Sequence, residues 1–221
     1  MAGLALALLA AGWVGQLQRR GVRTPYTRKI FHFLIFTGAG AVHLTWGFGG
    51  TLGYGSAVAL IVLGAVVRGA GNGLYDALAR PTDAPRQTLF ILVPLVSTAV
   101  GGLTANLLFG GYAYIGYLVC GWGDAVGEPV GTRWGRHRYE VPSLSGVPAQ
   151  RSLEGSGAVF LMGTVAAAGG LLAGGATLRD ALLVGLAAGF AGAAVEAFSN
   201  HGLDNLTTQL AAAGVTWALL A

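Results

Sequence analysis

The sequence predicts an all-α fold: a polytopic transmembrane helical bundle of about eight spans (seven to nine), with short outer turns and longer cytoplasmic loops. It predicts a single integral-membrane domain over residues 1–221. Three observations carry this. Hydrophobic residues make up 54% of the chain and charged residues only 10%, against about 25% charged in soluble domains. Apolar runs recur at the length of about 20 residues that a helix needs to cross the hydrocarbon layer. The 13 basic residues, set against 9 acidic ones, gather on alternate connections. Together with a mean hydropathy of +0.63, these features argue against a soluble enzyme, a nucleic-acid binder and a disordered tail, despite a pI near 9.6.

The spans follow in order. Ala2–Gln18 has the look of a signal-peptide core, but no basic residue precedes it and arginines follow it, so it reads as a retained first span. Ile30–Phe48 and Thr51–Val67 are divided by a short glycine-rich turn. Thr88–Phe109 and Tyr112–Trp122 meet at Gly110-Gly111. The second of these is too short alone and is expected to continue as helix past Asp124. Gly157–Gly174, Ala181–Phe198 and Leu206–Leu220 complete the set. The 38 glycines indicate close helix packing, since small residues let backbones approach in lipid. The single cysteine, Cys120, cannot form an internal disulfide and reads as a buried thiol.

Eight spans place Arg19–Lys29, Arg68–Gln87 and Gly123–Ser156 on one face, with five, three and four basic residues, and leave only Arg179 on the other. The positive-inside rule makes the crowded face cytoplasmic and puts both termini outside. No fixed-period repeat is visible.

Chemistry-bearing residues concentrate on the crowded face. In the segment Gly121–Ser156, Asp124, Glu128, Thr132 and Arg136 recur every fourth residue. Two carboxylates therefore lie one helical turn apart. Gly123, Gly127, Gly131 and Gly135 form a bare ridge beside them, able to admit a bulky anion or a second backbone. Pro129 removes a backbone donor here. Paired carboxylates at a membrane boundary suit Mg²⁺, which binds through one or two carboxylates plus substrate phosphates. Arg133, Arg136, His137 and Arg138 are then candidates for a polyphosphate. The plainer alternative is a glycine-packed helix with solvated charges, but acids at the edge of a membrane are costly and mark functional sites.

A second cluster opens the second span. Thr24 as N-cap and Pro25 at the first helical position mark a helix start, and helix N-termini attract anions. Arg28 and His32 share a face, with Lys29 beside them. Positive-inside anchoring accounts for Arg19, Arg20 and Arg23 but not for His32 within an apolar run. A third group, Arg151-Ser152-Leu153-Glu154-Gly155-Ser156, reads equally as turn chemistry or as ligand binding. Weaker candidates are Glu196, Asn200, Asn106 and the pair Asn72 and Asp76. Asp204 either caps the last helix or joins the nucleotide-binding set. His43 and His201 are lone histidines without ligand spacing. No zinc pattern, P-loop or Ser-His-Asp set is present.

These residues resemble the membrane-bound dolichol kinase and phytol kinase family, which is related to the CTP-using phosphatidate cytidylyltransferases. Arg28-Lys29-Ile30-Phe31-His32 looks like that family's early Arg-Lys-x-x-His. Gly123-Asp124 through Gly131, with Gly135-Arg136, looks like its Gly-Asp segment. Arg151-Ser152-Leu153-Glu154-Gly155 looks like its Lys-Ser-x-(Glu or Ala)-Gly. The three stand in order across about 130 residues. Arg151 departs from the usual lysine, and the position of Pro129 is variable in the family. The long cytidylyltransferase signature is absent.

The resemblance implies phosphoryl transfer from CTP to the hydroxyl of a long isoprenoid alcohol such as phytol, farnesol or a polyprenol. The competing reading is a cytidylyltransferase that forms a CDP-lipid. The kinase resemblance implies that Asp124 and Glu128 hold Mg²⁺, that Arg28, Lys29, Arg136 and Arg151 hold phosphates, that Glu154 holds nucleotide or metal, and that His32 orients or deprotonates the alcohol; Arg133 and Asp204 join the nucleotide-binding candidates by their position in the chain. The expected partners are a membrane lipid alcohol and a nucleoside triphosphate. No nucleic acid is expected, and a homodimer is left open.

Overall fold

The structure is a computed structural model that describes residues 2–142, 149–200 and 202–221. Its helices are α1 (Ala2–Arg19), α2 (Thr24–Arg68), α3 (Gly73–Leu78), α4 (Leu89–Phe109), α5 (Ala113–Trp134), α6 (Leu153–Ala173), α7 (Leu178–Phe198) and α8 (Asp204–Leu220). Among the described residues, four helical stretches are long and apolar enough to cross a membrane: Thr24–Arg68, Leu89–Trp134, Leu153–Ala173 and Leu178–Phe198.

The first two of these are too long for one crossing. At 1.5 Å per residue, α2 would extend roughly 68 Å if straight, more than twice the hydrocarbon thickness. It folds back at Gly47, whose φ of 63° and ψ of −158° leave the helical region. Only a residue without Cβ takes that conformation cheaply. The fold-back brings Tyr54 against Gly38, where an added Cβ would collide with the phenol. Along a straight helix those residues would stand about 24 Å apart. The second and third expected spans are thus the two halves of one bent helix. The stretch Leu89–Trp134 turns back at the 3-10 turn Gly110–Tyr112, and α5 runs through Pro129 as one helix, well past Asp124.

Two apolar cores result. One gathers Ala7, Val14, Phe31, Val42, Tyr54, Val62, Leu74 and Ile91 from α1 to α4. The other surrounds α5, where Tyr114, Ile115, Tyr117, Leu118, Val119 and Cys120 are buried against α6, α7 and α8. The glycine ridge serves a second backbone: a Cβ at Gly127 would strike Val159, and one at Gly155 would lie 3.0 Å from the Gly127 carbonyl. Outward-facing positions are apolar, with Leu9, Leu60, Leu107 and Phe190 all exposed. That inversion suits lipid, where water-facing polar groups are not needed.

Three local expectations are corrected. The helix α2 begins at Thr24, so Arg23 is its N-cap, without a side-chain cap. Thr24 Oγ1 instead donates to the Asp76 carbonyl, and Thr27 Oγ1 to that of Ala77, which ties α2 to α3. The helix α5 ends at Trp134, so Arg136 leaves the face shared by Asp124, Glu128 and Thr132. An antiparallel ribbon also interrupts the all-helical pattern. Its strands β1 (Arg138–Val141) and β2 (Ala149–Ser152) pair from Arg138 with Ser152 to Val141 with Ala149. His201 lies outside the described residues.

Candidate functional site

Alternating helix directions bring the start of α2, the end of α5, the start of α6, the end of α7 and the start of α8 to one end of the bundle. There they surround the charged head of a cavity of about 570 Å³, a size typical of ligand pockets. Lys29, buried on α2, lies at its centre. Its Nζ is 2.7 Å from Asp124 Oδ1 and 2.8 Å from Glu128 Oε2. One helical turn of α5 thus presents both carboxylates to one ammonium. His32, a turn below Arg28 on α2, has Nε2 3.4 Å from Asp124 Oδ2. His32 Nε2 and Arg28 Nη1 are buried without a hydrogen-bond partner among the described residues.

The loop after α3 supplies two residues that motif reading missed. Arg80, 8% exposed, donates from Nη1 to Glu128 Oε1 and from Nε to Asp83 Oδ2, both at 3.0 Å. Arg28 Nη1 stands 3.7 Å from the same Asp83 oxygen. Burial opposes the charge on Arg80, but Glu128 and Asp83 outweigh it and hold the guanidinium pKa above its ordinary value. The only sequence signal for either residue is its charge, in a loop lacking helical periodicity. The cluster balances three cations (Arg28, Lys29, Arg80) against three carboxylates (Asp83, Asp124, Glu128).

A second ion-pair group lines the same cavity. Arg151, on β2, donates from Nη2 to Asp204 Oδ2 at 2.9 Å, and its Nη1 is 3.1 Å from Glu196 Oε1. Asp204 therefore serves this pair as well as the first turn of α8, where its Oδ1 accepts from the Asn205 amide. Ser152 caps α6 by accepting from the Gly155 amide.

Arg138, at the start of β1, also lines the cavity, whereas most of the remaining candidates fall elsewhere. Arg133 and Arg136 are exposed at the same end but do not line the cavity, and Arg133 lies over the Trp134 ring. Glu154 accepts from His137 Nδ1 at 2.8 Å, which fastens the chain after α5 to the start of α6. Asn72 caps α3, His43 faces Thr51 beside the α2 bend, and Asn106 contacts Tyr117 deep in the bundle.

Among the described residues, no three or more His, Cys, Asp or Glu side chains are gathered to cage a metal. Asp124 and Glu128 nonetheless offer hard oxygen donors, and the Lys29 ammonium between them occupies the kind of position that a cation takes. A divalent ion held there would need ligand oxygens to complete its shell, a common arrangement for Mg²⁺.

The chain is 37% identical over 125 residues to the phytol kinase of Synechocystis sp. (strain ATCC 27184 / PCC 6803 / Kazusa), covering 52% of this chain and 51% of that protein. The two are homologous over that stretch, and the chain spans about half the length of this curated relative. No family model matches the chain. No solved structure matches it at a significant level.

Proposed function

We propose that the protein is a nucleotide-dependent kinase of a membrane-embedded isoprenoid alcohol, with CTP as donor and Mg²⁺ as cofactor. The observation that carries this reading is the joining of a buried, charge-balanced cluster to an apolar cavity within one bundle. Homology to a phytol kinase supports the alcohol as acceptor. The choice of CTP rests on the motif resemblance. We further propose eight crossings: α1, the two halves of α2, and α4 to α8. The charged end then faces the cytoplasm and both termini lie outside.

Phosphoryl transfer needs positioning and charge stabilisation more than covalent catalysis by the protein. Lys29, Arg28 and Arg80 carry the charge to hold phosphate oxygens, and Asp83, Asp124 and Glu128 keep them oriented until a nucleotide arrives. Asp124 and Glu128 would hold Mg²⁺, which would neutralise charge on the transferring group. The alcohol oxygen attacks the γ-phosphorus, the bond from that phosphorus to the CDP oxygen breaks, and the hydroxyl proton leaves. His32 Nε2, buried beside Asp124 and without a hydrogen-bond partner among the described residues, is suited to take that proton. Arg151, braced by Glu196 and Asp204 and lining the same cavity, serves the phosphate chain.

The test incubates purified protein and Mg²⁺ with CTP labelled at either the γ- or the α-phosphate, and with phytol, farnesol, a polyprenol or phosphatidate. Label from the γ-position in a lipid alcohol is expected. Label from the α-position would instead establish cytidylyl transfer, and no transfer to any lipid would overturn both readings. Asp124→Asn and Glu128→Gln are expected to lower the γ-transfer rate by about 10²-fold or more, the scale at which lost transition-state electrostatics acts.

A further inference from the structure

We propose that the acceptor alcohol enters sideways from the lipid through a slit between the second half of α2 and α4, and that its tail remains in that slit during reaction. This rests on the alcohol-kinase reading and adds a route and a consequence for chain length. Lining residues on α4 run from Ile91 through Leu95, Ala99 and Leu103 to Asn106. Fifteen steps of 1.5 Å from Ile91 to Asn106 give a slot of roughly 22 Å, leading away from the Lys29 cluster.

The slot is sealed at one end and open at the other. Near the charged cluster, its linings Val62 and Ile91 are only 3% and 6% exposed. In the remote half, Phe48, Leu52 and Leu103 also line the cavity, yet they are 39%, 53% and 46% exposed. A side chain that faces both the cavity and the outside marks an opening. The helices α2 and α4 scarcely touch, and the slit between them carries the small residues Gly55, Ser56 and Ala99. A Cβ at Gly55 would meet nothing within 4 Å.

The occupant follows from the two ends. The charged head takes phosphate and a hydroxyl, while the slit, lined by apolar side chains, takes an apolar chain and opens to lipid instead of water. Because the remote end is open, a tail longer than the slot extends into the bilayer. The site therefore reads the isoprene units nearest the hydroxyl and places no upper bound on length.

In lipid nanodiscs, wild-type kcat/KM should agree within about threefold for phytol, geranylgeraniol and a long polyprenol. Gly55→Trp and Leu103→Trp should each lower it at least tenfold for all three and leave nucleotide affinity unchanged. Leu60→Trp, on an exposed position outside the cavity, should have no effect. Phytol or geranylgeraniol bearing a diazirine near its tail should crosslink wild-type protein within residues 48–56 and 99–103. Wild-type rates in both tryptophan variants, or crosslinks confined to other helices, would overturn the slit. So would a steep fall in rate with chain length. Crosslinks at the expected residues without phosphate transfer to any alcohol would keep the slit and overturn the kinase reading.

Discussion

Lys29 is the sole lysine in the chain, and it closes against two carboxylates that would otherwise face each other across a turn of α5. Removing one partner of a buried ion pair typically costs about 3–5 kcal/mol, because the survivor keeps its desolvation penalty. Lys29→Met should therefore lower the melting temperature in detergent as well as abolish transfer. Lys29→Met combined with Asp124→Asn should recover part of that stability but none of the activity, as expected for directly coupled residues. Equal melting temperatures for the single and double variants would contradict the pairing. Arg151 gives a second residue-scale expectation. Its two terminal nitrogens reach different carboxylates, Glu196 and Asp204, a span that a lysine ammonium does not reproduce. Arg151→Lys should thus cost at least tenfold in kcat/KM, although lysine is the residue the motif leads one to expect; an unchanged rate would show that only its charge matters. The four-residue spacing of Asp124 and Glu128 exposed half of this site in the sequence, because helical periodicity converts spacing into a shared face. Arg80 and Asp83 were hidden because a loop carries no such periodicity, and only the packing of α3 against α2 brings them in.

At the scale of helices, glycine position decides how closely α5 packs. A Cβ at Gly116 would fall 2.4 Å from the Gln209 carbonyl oxygen of α8, a backbone atom that cannot swing aside. Gly116→Ala should destabilise by about 1–3 kcal/mol, the usual cost of overpacking, seen as a lower unfolding temperature in detergent. Gly12→Ala, where nothing lies within 4 Å, should be neutral or raise that temperature slightly, since alanine favours helix. The reverse order would mean that α5 and α8 do not meet as described. The same contrast explains what the sequence disclosed about the elements. The Gly123-Gly127-Gly131 ridge signalled a close approach but not its partner, and α6 fills it. Apolar run length located the helices, and the glycines at the Gly47 bend located the fold-back of α2. The β-ribbon before α6 escaped because each strand has only four residues, too few for the alternation along Arg138–Val141 to stand out, and Ala149–Ser152 does not alternate in polarity.

Across the whole molecule, the segregation of charge to one end is what ties the helix arrangement to a compartment. The Lys29 cluster, the Arg151 group, Arg133 and Arg136 share that end, while Arg179 and Asp180 begin α7 at the other. If basic residues mark the cytoplasmic side, the cluster meets cytosolic nucleotide and the slit meets lipid. The chain is suited to test this directly, because Cys120 is its only cysteine and is buried. In intact cells, a membrane-impermeant thiol reagent should label Arg179→Cys and leave both wild-type protein and Arg133→Cys unlabelled. After permeabilisation, Arg133→Cys should label as well. Labelling of Arg133→Cys in intact cells, with Arg179→Cys protected, would place the charged cluster outside and remove the cytosolic nucleotide from reach. Labelling of both from outside would break the alternation of passes itself, because α6, the helix between the two positions, would then have to enter and leave the membrane on one side.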